Sequence, residues 1–153
     1  MSLFSGNYPY SVDANGRINF KKFLKRMDSE GRESSNYHLL KQKFVKDENE
    51  FTFFYLFSEE SWEKFYVEKN LGSLDVAKRT AFLKNLCGEA TKDSADRVAF
   101  PKSFLEFIKA DKDLILQGDG DKIQVWSKEM FDKCYGNTDN NGLEDDSDLW
   151  NIG

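Results

Sequence analysis

A chain of 153 residues carrying a net charge of −5 suits one compact body or two small halves that share a core, and its 14 phenylalanines are ample packing material for either. No apolar run approaches the roughly 18 residues that a membrane-spanning helix needs, and the N-terminus has no basic-then-apolar leader pattern. Cys87 and Cys134 form neither a disulfide framework nor a metal-ligand spacing, so they read as two reduced thiols and a cytoplasmic location is expected.

The acidity is local. Residues 136–153 hold Asp139, Glu144, Asp145, Asp146 and Asp148 with no Lys or Arg, which accounts for the whole of the −5. The rest of the chain is neutral, and within it Arg17, Lys21, Lys22, Lys25 and Arg26 fall in a window without acids. A local basic patch governs phosphate affinity more than the total charge does.

In chain order, residues 8–12 read as a short strand, with Pro9 placing it near a sheet edge. Asn15-Gly16 is a hairpin signal, Asp13 can cap the turn through its own carboxylate, and residues 17–20 would be the return strand. Phe20, Phe23, Leu24 and Met27 then lie on one helical face, with Lys21, Lys22, Lys25 and Arg26 on the other. The ordinary reading of such a lysine face is solvation. Residues 37–45 and 51–57 read as strands around an Asp47-Glu48-Asn49 turn. Ser58 is a candidate N-cap ahead of Glu59 and Glu60, and Trp62, Phe65 and Tyr66 form an apolar stripe suited to the core.

A further helix is expected after Leu71-Gly72. Ser73 would cap it, Val76, Thr80, Leu83 and Cys87 would be its buried side, and Gly88 its stop. Pro101 suits a first helical turn. Residues 114–117 and 122–126 read as strands joined through Gly118-Asp119-Gly120-Asp121, and Ser127 caps a last short helix. Beyond Tyr135 the acidic tail, rich in Asn, Asp and Gly, is expected to be mobile.

Two blocks of this series recur. Asp13-Ala14-Asn15-Gly16-Arg17-Ile18-Asn19-Phe20 is matched eighty positions on by Asp93-Ser94-Ala95-Asp96-Arg97-Val98-Ala99-Phe100. Residues 56–62 are echoed by residues 125–131, 69 positions on, so the first copy carries about 11 extra residues between its blocks. Two blocks repeated in order argue for an internal duplication, with a first repeat at 4–70, a second at 71–135 including a linking helix, and the tail at 136–153.

Little suggests covalent chemistry. His38, the one histidine, lies in an apolar strand, and no nucleophile–His–carboxylate set or phosphate-cradling glycine loop is readable. The Asp111, Asp113, Asp119 and Asp121 cluster does not have EF-hand spacing. No catalytic residue, metal or cofactor is expected. The Asp–Arg pair allows two readings: an intraloop ion pair of little energetic consequence, or a carboxylate that fixes a guanidinium fork for phosphate or a guanine edge.

The D-x-x-x-R turn followed by an apolar strand, once per half and with Gly before the Arg in the first copy, resembles the bacterial MraZ proteins, which are double SpoVT-AbrB domains. The second copy matches further, through Phe100-Pro101, Leu114-Ile115-Leu116, Gly118 and Lys122-Ile123-Gln124-Val125-Trp126. The resemblance implies a mainly β fold, a duplicated AbrB-like swapped-hairpin (double-split) β-barrel core with peripheral α-helices, assembled into a closed homo-oligomeric ring. It implies a nucleoid-associated transcriptional regulator that binds double-stranded DNA at promoter direct repeats of the division and cell-wall gene cluster.

Carried onto this sequence, the DNA-binding residues would be Arg17, Lys21, Lys22, Lys25, Arg26, Arg97 and Lys102, with Asp13 and Asp93 orienting the arginines. Three departures bear on affinity. Asp96 stands where Gly is expected before the second Arg, Lys21 and Lys22 replace a Pro and a small residue, and the acidic tail could compete with DNA. An AbrB-like antitoxin or other protein-binding module, and a ring-forming scaffold without DNA binding, are the alternatives.

Overall fold

The computed structural model of the chain describes residues 3–19, 22–25 and 36–136. Lys21, Arg26, the side chain of Lys22 and the tail from residue 137 lie outside the described residues, and with them the expectations placed there.

The fold is mainly β. Strands β1 (Asn7–Ser11) and β2 (Arg17–Asn19) are followed by a one-turn helix α1 (Lys22–Lys25), long strands β3 (Asn36–Lys46) and β4 (Asn49–Phe57), and helix α2 (Glu59–Glu68). A 3-10 turn (Leu71–Ser73) and helix α3 (Val76–Leu86) lead into β5 (Cys87–Thr91). The first series then recurs as β5, β6 (Arg97–Ala99), α4 (Lys102–Phe107), β7 (Asp113–Asp119), β8 (Lys122–Ser127) and α5 (Lys128–Tyr135).

Strand pairing interlocks the two series. The main sheet runs β1-β7-β8-β4-β3-β5 and curls into half a barrel, while β2 and β6 form a separate two-stranded ribbon. Replacing each strand by its counterpart reverses the sheet order onto itself, the mark of an approximate twofold axis between β8 and β4. Each leading strand crosses to the other hairpin, β1 onto β7 and β5 onto β3.

This overturns the expected hairpin at Asn15-Gly16. β1 pairs with β7 and β2 with β6, so the turn joins two strands of different sheets. Only Gly16 takes a positive φ (74°) there, as in a three-residue loop rather than a two-residue one. The two-residue turns are elsewhere, at Asp47-Glu48 (φ 52° and 68°) and at Gly120-Asp121, where Gly120 alone is at φ 69°.

One core lies between the sheet and the ribbon with its helices. Ile18 and Val98 point inward from the ribbon, Leu24, Phe104 and Ile108 from α1 and α4 and their ends, and Phe54, Leu56, Leu114 and Val125 from the sheet. Burying a side chain of this size contributes about 1.5–3 kcal/mol. On the sheet's other face Trp126 stacks on Phe53 at 4.9 Å, under α5. The longer first hairpin reaches over α5: Lys46 Nζ donates to the carbonyl of Cys134 at 2.9 Å and lies 5.0 Å from the Tyr135 ring centre.

Ser58 and Ser127 cap α2 and α5 as expected, accepting from the amides of Ser61 and Met130. The third helix departs from expectation. Asp75, not Ser73, caps it, accepting from the Lys78 amide at 2.9 Å. Val76 and Leu83 are exposed at 67% and 40%, and the half-buried positions of the helix are Arg79 and Phe82 instead. Gly88 does not stop that helix through a left-handed turn. It lies in β5, where a Cβ would come within 2.5 Å of the Phe104 ring.

At Gly118 an added Cβ would meet backbone atoms of Phe4 and Ser5 at 2.5 Å, and those atoms cannot swing aside as a flexible side chain can. Gly118→Ala is therefore expected to push the N-terminal segment off the β7 edge and cost about 1–3 kcal/mol. Gly72→Ala, whose nearest neighbour would be the Tyr66 ring at 3.6 Å, should cost far less. Denaturant unfolding of the two variants makes the comparison.

Candidate nucleic-acid interface

Each repeated Asp–Arg motif folds into the same turn, and the reason is local. The Asp13 carboxylate accepts from the amides of Asn15 (2.8 Å) and Arg17 (3.0 Å) through Oδ1, and from Arg17 Nε (2.8 Å) through Oδ2. The Asp13 amide in turn donates to the Arg17 carbonyl at 2.9 Å. The second turn repeats every contact. Asp93 Oδ1 accepts from the amides of Ala95 and Arg97 at 2.9 Å each, and Oδ2 from Arg97 Nε at 3.0 Å. A carboxylate with this many donors holds the turn and the guanidinium together.

The same contacts keep both carboxylates ionised. The Arg17 amide does most to hold Asp13 below the usual 3.8, the Asn15 amide and the Arg17 side chain adding to it. The Arg97 amide does the same for Asp93. Because folding lowers these values, the stabilisation is fully present above the ordinary carboxylate range and is lost only as pH falls through the lowered one. Both turns should therefore stay closed from neutral pH down to about 4. An NMR titration following the two carboxyl carbons and the Arg17 and Arg97 Hε resonances is expected to place both midpoints below 3.8.

The ribbon brings the two turns together. Arg17 pairs with Ala99, Ile18 with Val98, and Asn19 with Arg97. Alternation puts Ile18 and Val98 into the core at 1% and 0% exposure, so Arg17, Asn19, Arg97 and Ala99 share the outward face. The two arginines are diagonal neighbours, with Cα atoms about 7–8 Å apart. Each spends its Nε on a carboxylate, and no described residue accepts from the terminal nitrogens of either guanidinium. Their side chains are 28% and 36% exposed. Two planar donor forks are thus presented side by side on one surface.

The turns differ in their fourth residue. Gly16, at φ 74°, packs beneath α4, where a Cβ would meet Leu105 Cδ1 and the Phe100 carbonyl at 3.2 Å. Asp96 takes the equivalent left-handed conformation, φ 56°, so the turn survives the loss of glycine. Eighty positions before Leu105 stands Lys25, and its ammonium lies 3.0 Å from the Asp96 carboxylate. The Leu–Gly contact of one turn is a Lys–Asp contact in the other. The charge expected to oppose phosphate at Arg97 is matched by a lysine, and Lys25, expected on the DNA-facing set, is engaged by it. Lys102 is 90% exposed near the Arg17 end, 3.8 Å from Glu106.

This half-exposed pair should contribute about 0–1 kcal/mol. Lys25→Leu alone is expected to destabilise within that range. Asp96→Gly alone should be close to neutral, since relief of the left-handed Asp offsets the lost pair. Lys25→Leu with Asp96→Gly rebuilds the Leu–Gly contact and should be at least as stable as the parent. A double-mutant cycle by urea unfolding measures the coupling.

Elsewhere the ionisable groups serve packing. Burial pushes the Cys87 thiol up to about 11 and raises that of Cys134, so neither is a poised nucleophile at neutral pH. The His38 ring stacks on Trp62 at 5.5 Å. Among the described residues, no group of three or more His, Cys, Asp or Glu could hold a metal ion, and no helix is long and apolar enough to cross a membrane. Sequence reasoning overlooked Asn19 on the outward face. The signal was there, since a residue two positions after Arg17 in a strand shares its side.

Comparison with known proteins points one way. A family model described as "MraZ protein, putative antitoxin-like" matches residues 88–149, from the half in which the motif resemblance is also more complete. The chain is 27% identical over 143 residues to the transcriptional regulator MraZ of Thermoanaerobacter sp. (strain X514), covering 90% of each chain. It is 28% identical over 134 residues to that of Syntrophomonas wolfei subsp. wolfei, covering 84% of each. To that of Carboxydothermus hydrogenoformans it is 24% identical over 140 residues, covering 88% of each.

Proposed function

We propose that the chain, similar to MraZ regulators over about 90% of its length, is a divergent member of that family and a sequence-specific DNA-binding transcriptional regulator. Its relatives are named as transcriptional regulators. The observation that carries the reading is the outward ribbon face with its two carboxylate-held arginines. A two-stranded ribbon fits the major groove, and a fixed guanidinium fork matches the O6 and N7 acceptors of guanine. Prior fixing by Asp13 and Asp93 leaves less side-chain freedom to lose on binding.

Lys21, Lys22, Arg26 and Lys102 would supply sequence-independent phosphate contacts. Lys25 would join them only where its pair with Asp96 opens. The targets in this reading are direct repeats upstream of the division and cell-wall gene cluster, and the acting species is a closed homo-oligomeric ring associated with the nucleoid.

Binding isotherms on one specific and one random duplex, across a salt series, test the proposal. Arg17→Ala should cost about 1–3 kcal/mol on the specific duplex and relax sequence preference. Lys102→Ala should weaken both duplexes alike and lower the salt slope by about 1. Absence of binding by the parent protein at low salt would reject the reading. It would favour a protein-binding role instead, for which α2 and α3 carry the exposed apolar side chains Val67, Val76, Leu83 and Leu86.

A further inference from the structure

The two ends of the ribbon are chemically unlike. Both copies retain the arginine, but two positions later one has Asn19 and the other Ala99. Register places Asn19 directly across from Arg97, and Ala99 directly across from Arg17. Asn19 is exposed on the outward face, and its side-chain amide makes no hydrogen bond to another described residue. It borders a cleft lined also by Tyr10, Asp113 and Lys128, but no hydrogen bond among the described residues accounts for an asparagine there, and alanine serves at the equivalent position.

We propose that Asn19 is a specificity-determining residue, reading an adenine adjacent to the base read by Arg97. This rests on the DNA-binding reading above. An asparagine amide matches adenine through N6 and N7 in the major groove, as the arginine fork matches guanine through O6 and N7. Directly opposed residues of an antiparallel pair have Cα atoms about 4.5–5.5 Å apart. Successive bases on one strand rise about 3.4 Å. Side chains leaving opposed positions therefore reach neighbouring base pairs and not the same one. At the other end Arg17 has only the Ala99 methyl beside it, which offers an apolar contact suited to a thymine methyl. The ribbon reads two unlike half-sites, although the fold that carries it is nearly twofold.

The test uses the full chain and a pool of duplexes with a randomised segment, sequenced after selection by the parent protein and by Asn19→Ala, Ala99→Asn and Arg17→Ala. The parent should enrich an adenine next to a guanine. Asn19→Ala should lose preference for that adenine alone and bind the selected duplex about tenfold or more weakly. Its affinity for a random duplex, its salt slope and its melting temperature should be unchanged. Ala99→Asn should gain a second adenine preference beside the base read by Arg17. Equal weakening on selected and random duplexes would make Asn19 a phosphate contact and overturn the proposal, as would an unchanged preference. If the parent enriches no sequence and Arg17→Ala changes nothing, the DNA-binding reading itself falls. Enrichment that depends on Arg17 but not on Asn19 overturns only the inference made from Asn19.

Discussion

Pairing of β2 with β6 is the interaction on which the rest of this structure depends. It is only three residues long, yet it buries Ile18 and Val98 completely in the core and joins the two repeats at their most similar point. With it come the exchanged strands. Because β1 completes the hairpin of the second half and β5 that of the first, neither half owns a finished sheet or a covered core. Such exchange within one chain makes the two copies a single cooperative body.

The same ribbon solves a problem of presentation. An exposed arginine on a loop samples many rotamers, and ordering it on binding costs free energy. Here a carboxylate four residues earlier ties down Nε while two backbone amides tie down the carboxylate. The energetic worth of an exposed Asp–Arg pair is small; its geometric worth lies in setting the direction of the fork. Repeating the device across a two-stranded ribbon sets the spacing of two forks as well, by the strand geometry alone.

Departures from strict repetition are compensated where they touch. An aspartate in the left-handed position of the second turn would be an unneutralised charge, but the residue equivalent to Leu105 is Lys25, and the two meet. What reads as a defect in the motif when Asp96 is considered alone is half of a pair exchanged as a unit. The extra length of the first copy is used similarly: its longer hairpin covers α5 and brings Lys46 onto the Cys134 carbonyl in the last turn of that helix, where a cation is favoured.

Sequence alone settled much of this. The caps at Ser58 and Ser127, the edge position of Pro9, the long hairpin and the identity of the paired turns followed from short-range patterns, because capping, turn chemistry and alternation act over a few residues. Tertiary structure decided the rest. Asn15-Gly16 reads as a hairpin, since local chemistry cannot tell whether the strands leaving a turn will pair with each other or with distant partners. The inward side of α3 carries Arg79 and Phe82 rather than Val76 and Leu83, since a helix with so few apolar residues does not announce its phase. Gly88 looked like a helix stop until the Phe104 ring above it gave another reason for glycine. The partnership of Lys25 with Asp96, 71 positions apart, and of Asn19 with Arg97 depends on β2 meeting β6, and no local pattern encodes which distant strand a three-residue segment will choose.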